Sequence, residues 1–304
     1  MTTAKPPAKR AGGKPGRKAA LDPVRHVQGD LFVADILDVM PKGDAASMEH
    51  PVFALRPGDK KIRKYEHNGN TLEVIPSALG LATMHDKDVL LYCIGQLVEA
   101  INRGRVPSRT VRITAHDLLV VTNRGTGKDH YDRLRAALTR LRGTTLRTNI
   151  KTAGRRIDDI FGLIEDAQIV REESGRMVHI DVTLSQWTYN SAVALEVLTY
   201  NRDYFRLRGG LERRLYELAR KHTGTQARWT ISLELLQKKA GAGGPLKTFR
   251  QDIKQLAHSD HLPDYRIHFE PESDMVTFYH RGEAGHRKQL ADLIQSVTGS
   301  IKKL

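Results

Sequence analysis

The sequence predicts an α+β fold: two winged helix-turn-helix domains in tandem behind a disordered basic N-terminal tail. Three observations predict it. One pattern runs twice, from Val111 to Ser185 and from Ile231 to His280: a short helix, a glycine-rich turn, a second amphipathic helix loaded with cations, then paired strands. In each copy the second helix has an apolar stripe for a core and a basic stripe left over, as a helix bound for the DNA major groove requires. The length, 304 residues, suits about two domains of ordinary size.

Residues 1–48 are expected as a disordered basic tail and linker. Lys5, Lys9, Arg10, Lys14, Arg17 and Lys18 all precede the first acid, Asp22, and proline, glycine and alanine fill the gaps. Such a composition cannot bury enough surface to order itself. A phosphate-gripping arm and a merely solvated tail both fit. The apolar segment Leu31–Leu37 is cut off by Pro41-Lys42-Gly43-Asp44.

The first, DNA-binding winged-helix domain is expected over residues 49–190. Strands are expected at Pro51–Leu55 and Leu72–Ile75. Asp86–Asn102 reads as a helix, because Val89, Leu90, Cys93, Ile94, Leu97 and Ile101 recur at helical spacing and Gly104 follows. Val111–Thr114 is a short strand, and Thr114 caps a helix through Val121. Gly125-Thr126-Gly127 turns the chain into the helix Asp129–Arg142. Three strands follow at Thr145–Lys151, at Asp158–Ile164 continuing to Glu172, and at Val178–Leu184.

Trp187–Asn201 is expected as a linker. The second, DNA-binding domain spans residues 191–282. Its elements are a helix Tyr204–His222, a strand Trp229–Ile231 and a helix Leu233–Ala240 capped by Ser232. The turn Gly241–Gly244 follows, then a helix opened by Pro245 and running to about His258, and a hairpin of Tyr265–Glu270 with Met275–His280. Residues 283–304 hold a last amphipathic helix, Glu283–Val297.

The charge points to a polyanion. Net charge is +14 and the isoelectric point about 9.9, which draws the chain to DNA, RNA, an anionic membrane surface or an acidic protein. No apolar stretch approaches the roughly 20 residues that span a bilayer, so no membrane partner and a cytoplasmic location are expected. The one cysteine, Cys93, lies in an apolar run, which fits a small buried hydrophobe in a reducing compartment.

The two cationic helices carry the site. On a helical wheel Tyr131, Leu134, Leu138 and Leu141 share the core side. Asp129, Arg133, Ala136 and Arg140 oppose them, with Lys128, Arg135 and Arg142 between. From Arg124 to Arg156 ten cations face two acids, for a net +8, and Arg155 and Arg156 fall at a hairpin tip where a wing would touch the DNA backbone. In the second helix Leu246, Phe249, Ile253 and Leu256 make the apolar stripe. Lys247, Gln251, Lys254 and His258 lie opposite, flanked by Arg250 and Gln255. Arginine and lysine suit guanine or phosphate, and glutamine suits adenine. The candidate DNA-binding residues are thus Lys128, Arg133, Arg135, Arg140, Arg155, Arg156, Lys247, Arg250, Gln251, Lys254 and His258.

Patterns that suggest catalysis fail on inspection. Gly125-Thr126-Gly127-Lys128 has Thr122 where a phosphate loop needs glycine and Asp129 where it needs Ser or Thr. The 13 histidines include no HxH or HExxH pair, and the adjacent acids Asp158-Asp159 and Glu165-Asp166 point to opposite faces of a strand. No enzyme, cofactor or metal is expected.

The runs Tyr131–Thr144, Arg206–His222 and Phe249–Leu256 resemble the plasmid replication initiator protein A family, and the resemblance extends over about Pro51 to His280. It implies binding to directly repeated sites (iterons) in double-stranded DNA at a plasmid origin. It also implies melting of the adjacent DNA and recruitment of the host initiator and replicative helicase. A homodimer formed through the first domain, residues 49–190, in equilibrium with the monomer, would repress the chain's own gene and so control plasmid copy number, while the monomer would bind the iterons. It makes Asp129–Arg142 and Lys247–His258 the reading helices and Arg155-Arg156 a wing. The second wing tip, Glu270-Pro271-Glu272-Ser273-Asp274, departs by being acidic. Two other readings use the same residues: a plain transcriptional repressor, and an origin-nicking endonuclease, which needs a metal-bound tyrosine centre.

Overall fold

A computed structural model describes residues 42–44, 50–67, 70–149, 159–175 and 177–301. The tail residues 1–41, the segment Leu31–Leu37 among them, lie outside the described residues.

Among the described residues, helices mix with four antiparallel sheets. Strands β1 (Lys42–Asp44), β2 (Arg63–His67) and β3 (Asn70–Ile75) lead to helix α1 (Lys87–Asn102). Strand β4 (Thr110–Thr114), helix α2 (Ala115–Val121) and helix α3 (Lys128–Gly143) come next. Then come β5 (Thr145–Thr148), β6 (Asp159–Gly162), β7 (Ile164–Arg171) and β8 (Met177–Leu184). Helix α4 (Gln186–Val193) and strand β9 (Val197–Thr199) lead into a 3-10 turn at Arg202–Arg206. The rest is α5 (Gly210–His222), β10 (Arg228–Ser232), α6 (Leu233–Ala240), α7 (Leu246–Ser259), β11 (Tyr265–Glu270), β12 (Met275–His280) and α8 (Glu283–Ile301).

One arrangement occurs twice. In the first, α1, β4, α2, α3 and the β7–β8 hairpin follow one another, and the sheet order is β4-β8-β7. In the second, α5, β10, α6, α7 and the β11–β12 hairpin follow, and the sheet order is β10-β12-β11. Each unit thus closes a three-stranded sheet with the last strand in the middle. Each has its own core: Leu118, Leu134, Leu138, Leu141, Ile180 and Val182 in the first, Leu215, Leu236, Phe249, Ile253, Tyr265 and Phe278 in the second.

α1 serves both units. It is apolar over most of its circumference and accordingly buried on most sides. Val89, Leu90, Cys93, Ile94 and Leu97 enter the first core, and Leu91 enters the second.

Several sequence expectations need correction. The strand expected at Pro51–Leu55 is irregular chain with one isolated bridge, Ala54 to Thr83. The break expected at Pro41–Asp44 contains β1, which pairs with β9 inside the expected linker, and that linker also holds α4. The helix expected from Tyr204 starts at Gly210 instead. A Cβ on Gly210 would stand 2.2 Å from the Leu55 carbonyl oxygen, so the helix begins where only glycine lets the first unit's backbone pass. Thr114 holds the N-cap position of α2, but its side chain makes no capping hydrogen bond; Ser232 does cap α6, accepting from the Leu235 N–H.

The strand expected to run continuously from Asp158 to Glu172 is two strands in two sheets. β6 pairs with β5 at the edge of a four-stranded sheet ordered β2-β3-β5-β6, whereas β7 pairs with β8. The switch falls at Gly162 and Leu163. A Cβ on Gly162 would lie 2.9 Å from both the Arg142 and Ile164 carbonyl oxygens, and the Leu163 N–H donates to the Leu141 carbonyl at 3.2 Å. The β5–β6 hairpin is therefore an insertion, and the hairpin that completes the unit's own sheet is β7–β8.

Candidate DNA interface

The last helix of each unit is positioned by the helix before it and by its own apolar stripe. Leu134, Ala137, Leu138 and Leu141 bury one side of α3; Phe249 and Ile253 bury one side of α7. Gly241 ends α6 in the left-handed region at φ 65°, where a side chain would be strained, and so turns the chain toward α7.

Burying those stripes leaves a solvent-facing strip on each helix. On α3 it holds Lys128, Asp132, Arg133, Arg135, Thr139 and Arg142; on α7 it holds Lys247, Gln251, Lys254, Gln255 and His258. The expected residues Lys128, Arg133, Arg135, Lys247, Gln251, Lys254 and His258 are thus all exposed. Arg135 lies 3.8 Å from Asp132 in an exposed pair that constrains it little. Lys254 Nζ stands 5.6 Å over the Phe269 ring, which steadies the ammonium without removing it from solvent.

Two expected residues are committed elsewhere. Arg140 turns back to the start of α1: its Nε donates to Asp86 Oδ2 at 2.7 Å and its Nη2 to Asp86 Oδ1 at 2.8 Å. Asp86 is buried, and the hydrogen bond it accepts from Arg140 holds the guanidinium's pKa above its ordinary value. The wheel put Arg140 opposite the core, but a long side chain at the edge of the strip reaches whichever acid lies nearest. Arg250 behaves likewise. Its Nε donates to Asp274 Oδ1 at 2.8 Å and its Nη2 donates to Asp274 Oδ2. That hydrogen bond pulls the Asp274 carboxyl below its usual range.

Arg155 and Arg156 lie outside the described residues, in the connection between β5 and β6. The β5 and β6 strands belong to the four-stranded sheet, while the three-stranded sheet is completed by β7 and β8, between which the described residues include Glu172, Glu173, Ser174 and Gly175. The tips of both three-stranded sheets are therefore acidic.

Sequence reasoning missed the set of buried charges between the two units. Lys87 Nζ donates to Glu217 Oε1 at 2.8 Å, and Asp88 accepts from Arg213 at 2.5 Å and from Arg124 at 2.7 Å. Glu217 also accepts from the Tyr200 and Tyr204 hydroxyls, and Arg214 donates to the Lys239 carbonyl at 2.8 Å. The signal was the run Asp86-Lys87-Asp88 at the head of an otherwise apolar helix. These groups join the turn before α3 to the end of α6, so both strips hang from one polar scaffold.

No helix among the described residues is long and apolar enough to cross a membrane. Residues 42–267 match the family model of replication initiator protein A. A candidate replication protein of Wigglesworthia glossinidia brevipalpis is 35% identical over 257 residues, which is 83% of this chain and 94% of that protein. Among solved structures, the fold is similar to that of domains 2 and 3 of RctB. One such crystal structure, of a selenomethionine derivative, has a TM-score of 0.56 at 12% identity, covering 77% of this chain and 96% of that one. A second has a TM-score of 0.53 at 11% identity, covering 79% and 98%. With three quarters of its length matched by the family model and a relative of this identity over most of both chains, the chain belongs to the replication initiator protein A family.

Proposed function

We infer that this initiator binds repeated sites at a plasmid origin through two winged-helix domains, laying α3 in one stretch of major groove and α7 in another. The observation that carries the reading is the repeated unit itself. Twice the chain builds helix, strand, helix, helix and hairpin with the same sheet order, and twice the last helix presents cations that the fold does not consume. A helix with that placement is the groove-reading element of such a unit. Arg133 and Arg135 on α3, and Lys247, Gln251 and Lys254 on α7, face the base edges and flanking phosphates.

Family membership supports the rest of the proposed role. The chain melts the DNA beside its sites and recruits the host initiator and replicative helicase. It exchanges between monomer and homodimer, represses its own gene as the dimer, and works in the cytoplasm by binding rather than catalysis. Footprinting of the DNA flanking the gene at physiological salt tests this. Regularly spaced protection over direct repeats is expected. Protection of a single inverted repeat over the promoter would instead favour a transcriptional repressor.

A further inference from the structure

The second unit lacks a basic wing, and another part of the chain stands where a second phosphate grip would be. The tip between β11 and β12 carries Glu270, Glu272 and Asp274, which repel phosphate. The wing lies on one flank of the α7 strip, where Asp274 holds Arg250 and Phe269 underlies Lys254. The opposite flank of α7, through Thr248, Asp252, Gln255 and Ser259, forms one wall of a cleft of about 830 Å³. The other wall includes Leu55, Arg56, Pro57, Gly58, Asp59 and Arg63 of an irregular loop of the first unit.

That loop is cationic and fixed. Arg56, Lys60, Lys61, Arg63 and Lys64 stand against one acid, Asp59, between positions 56 and 64. Arg63 and Asp59 are spent on holding the loop. Arg63 Nη2 donates to Asp59 Oδ2 at 2.6 Å, and its Nη1 donates to the Pro51 and Phe53 carbonyls. Asp59 also accepts from the Lys61 N–H at 3.0 Å, and its carbonyl accepts from the Leu81 N–H at 2.8 Å. The second unit presses on this clamp, since a Cβ on Gly241 would stand 2.7 Å from Pro51 Cβ and 2.9 Å from Arg63 Nη1. Arg56, Lys60 and Lys61 remain exposed, and among the described residues neither Arg56 nor Lys60 has an ion-pair partner.

We propose that Arg56, Lys60 and Lys61, exposed on the loop that walls the cleft, form a phosphodiester-binding site that grips the DNA backbone beside the groove read by α7 and replaces the wing this unit lacks. A helix in the major groove has a phosphate strand on each side, and the loop lies on the side away from the acidic tip. Asp59, Glu212 and Asp252 among the lining disfavour phosphate inside the cleft. The contact is therefore outside it, on the exposed cations of the loop, and carries no base specificity.

The inference rests on the DNA-binding reading above, and the test separates the two. The probe is the DNA fragment flanking the gene. Lys60→Cys, Gln251→Cys and Ser273→Cys chains each carry an iron chelate that cleaves nearby deoxyribose. Cys93 is buried and burial pushes its thiol up to about 12, so the label goes to the introduced cysteine. Cleavage from Lys60→Cys is expected at the edge of the half-site marked by Gln251→Cys, across the groove from cleavage by Ser273→Cys. The double variant Lys60→Gln/Lys61→Gln should bind specific and random DNA about equally more weakly, by roughly tenfold, and flatten the salt slope by about 2. Cleavage only beside the half-site of α3, or an unchanged slope in the double variant, overturns the proposal while the footprint of the unsubstituted chain preserves the parent reading. No footprint from the unsubstituted chain removes both.

Discussion

Asp88 and Arg213 are 125 residues apart in sequence and 2.5 Å apart in the fold, each with its side chain almost wholly withdrawn from water. Their pairing joins the head of α1 to α5, and through Arg124 it reaches the turn before α3. Burying such a pair costs desolvation that the attraction scarcely offsets, so its value lies in specifying one arrangement of the two units rather than in raw stability.

Breaking the pair from one side should therefore be severe. Asp88→Ala strands the Arg213 guanidinium and is expected to cost about 3–5 kcal/mol in denaturant unfolding. Asp88→Leu combined with Arg213→Met should cost less than that single change. A double variant whose loss equals the sum of the single ones would show that the two side chains act independently.

Arg140→Ala should act on stability more than on DNA. The Asp86 carboxylate that receives the Arg140 fork also accepts from the Thr83 N–H at 2.8 Å. Losing the fork leaves a buried acid short of partners, at a cost of about 1–3 kcal/mol. Thermal melting should fall, while the folded variant's affinity for origin DNA falls less than that of Arg133→Ala. The reverse ranking would mean that Arg140 leaves Asp86 to reach DNA.

Arg133→Ala and Lys254→Ala remove exposed cations from the two strips. Each is expected to weaken binding to the specific site by about 1–3 kcal/mol and to relax discrimination there if it reads a base. Titrations against specific and random duplexes decide the matter, because equal losses on both would assign these side chains to phosphate. In the unsubstituted chain, affinity should drop steeply with salt as phosphate contacts release counterions. A flat response would remove the electrostatic argument.

Asp274→Asn should strengthen DNA binding. The change removes a negative charge from the tip of the β11–β12 hairpin and frees the Arg250 fork, so affinity should rise and the salt slope should steepen by about 1. The pH dependence has a definite sign. The Asp274 pKa is depressed in the fold by its hydrogen bond from Arg250. The pair's contribution is thus full above the ordinary carboxylate pKa of about 3.9 and disappears as pH falls through the lower folded value. A carboxyl titration by NMR showing Asp274 at or above its ordinary value would contradict the fork.

Much of this was legible in the sequence, and the reasons are local. The apolar spacing of Leu134, Leu138 and Leu141, and of Phe249 and Ile253, marks which side of each helix is buried. The glycines at 125–127 and 241–244 mark the turns. What local pattern cannot carry is partnership across the fold. Nothing near Arg140 or Arg250 in the sequence reveals that Asp86 and Asp274 will take them. The kink at Gly162, which sends one apparent strand into two sheets, depends on the backbone of Arg142 passing close by. The strand at Lys42–Asp44 exists because Val197–Thr199 lies beside it, although its own residues read as a break. The run Asp86-Lys87-Asp88 was visible throughout, but its meaning depends on α5, more than a hundred residues away.

The claim that α3 and α7 both read the major groove of one site is tested most directly by methylation interference at guanine N7 on a single protected repeat. Two clusters of interfering guanines are predicted, one lost in Arg133→Ala and the other in Lys254→Ala. A single cluster, or interference confined to minor-groove adenines, would contradict the account.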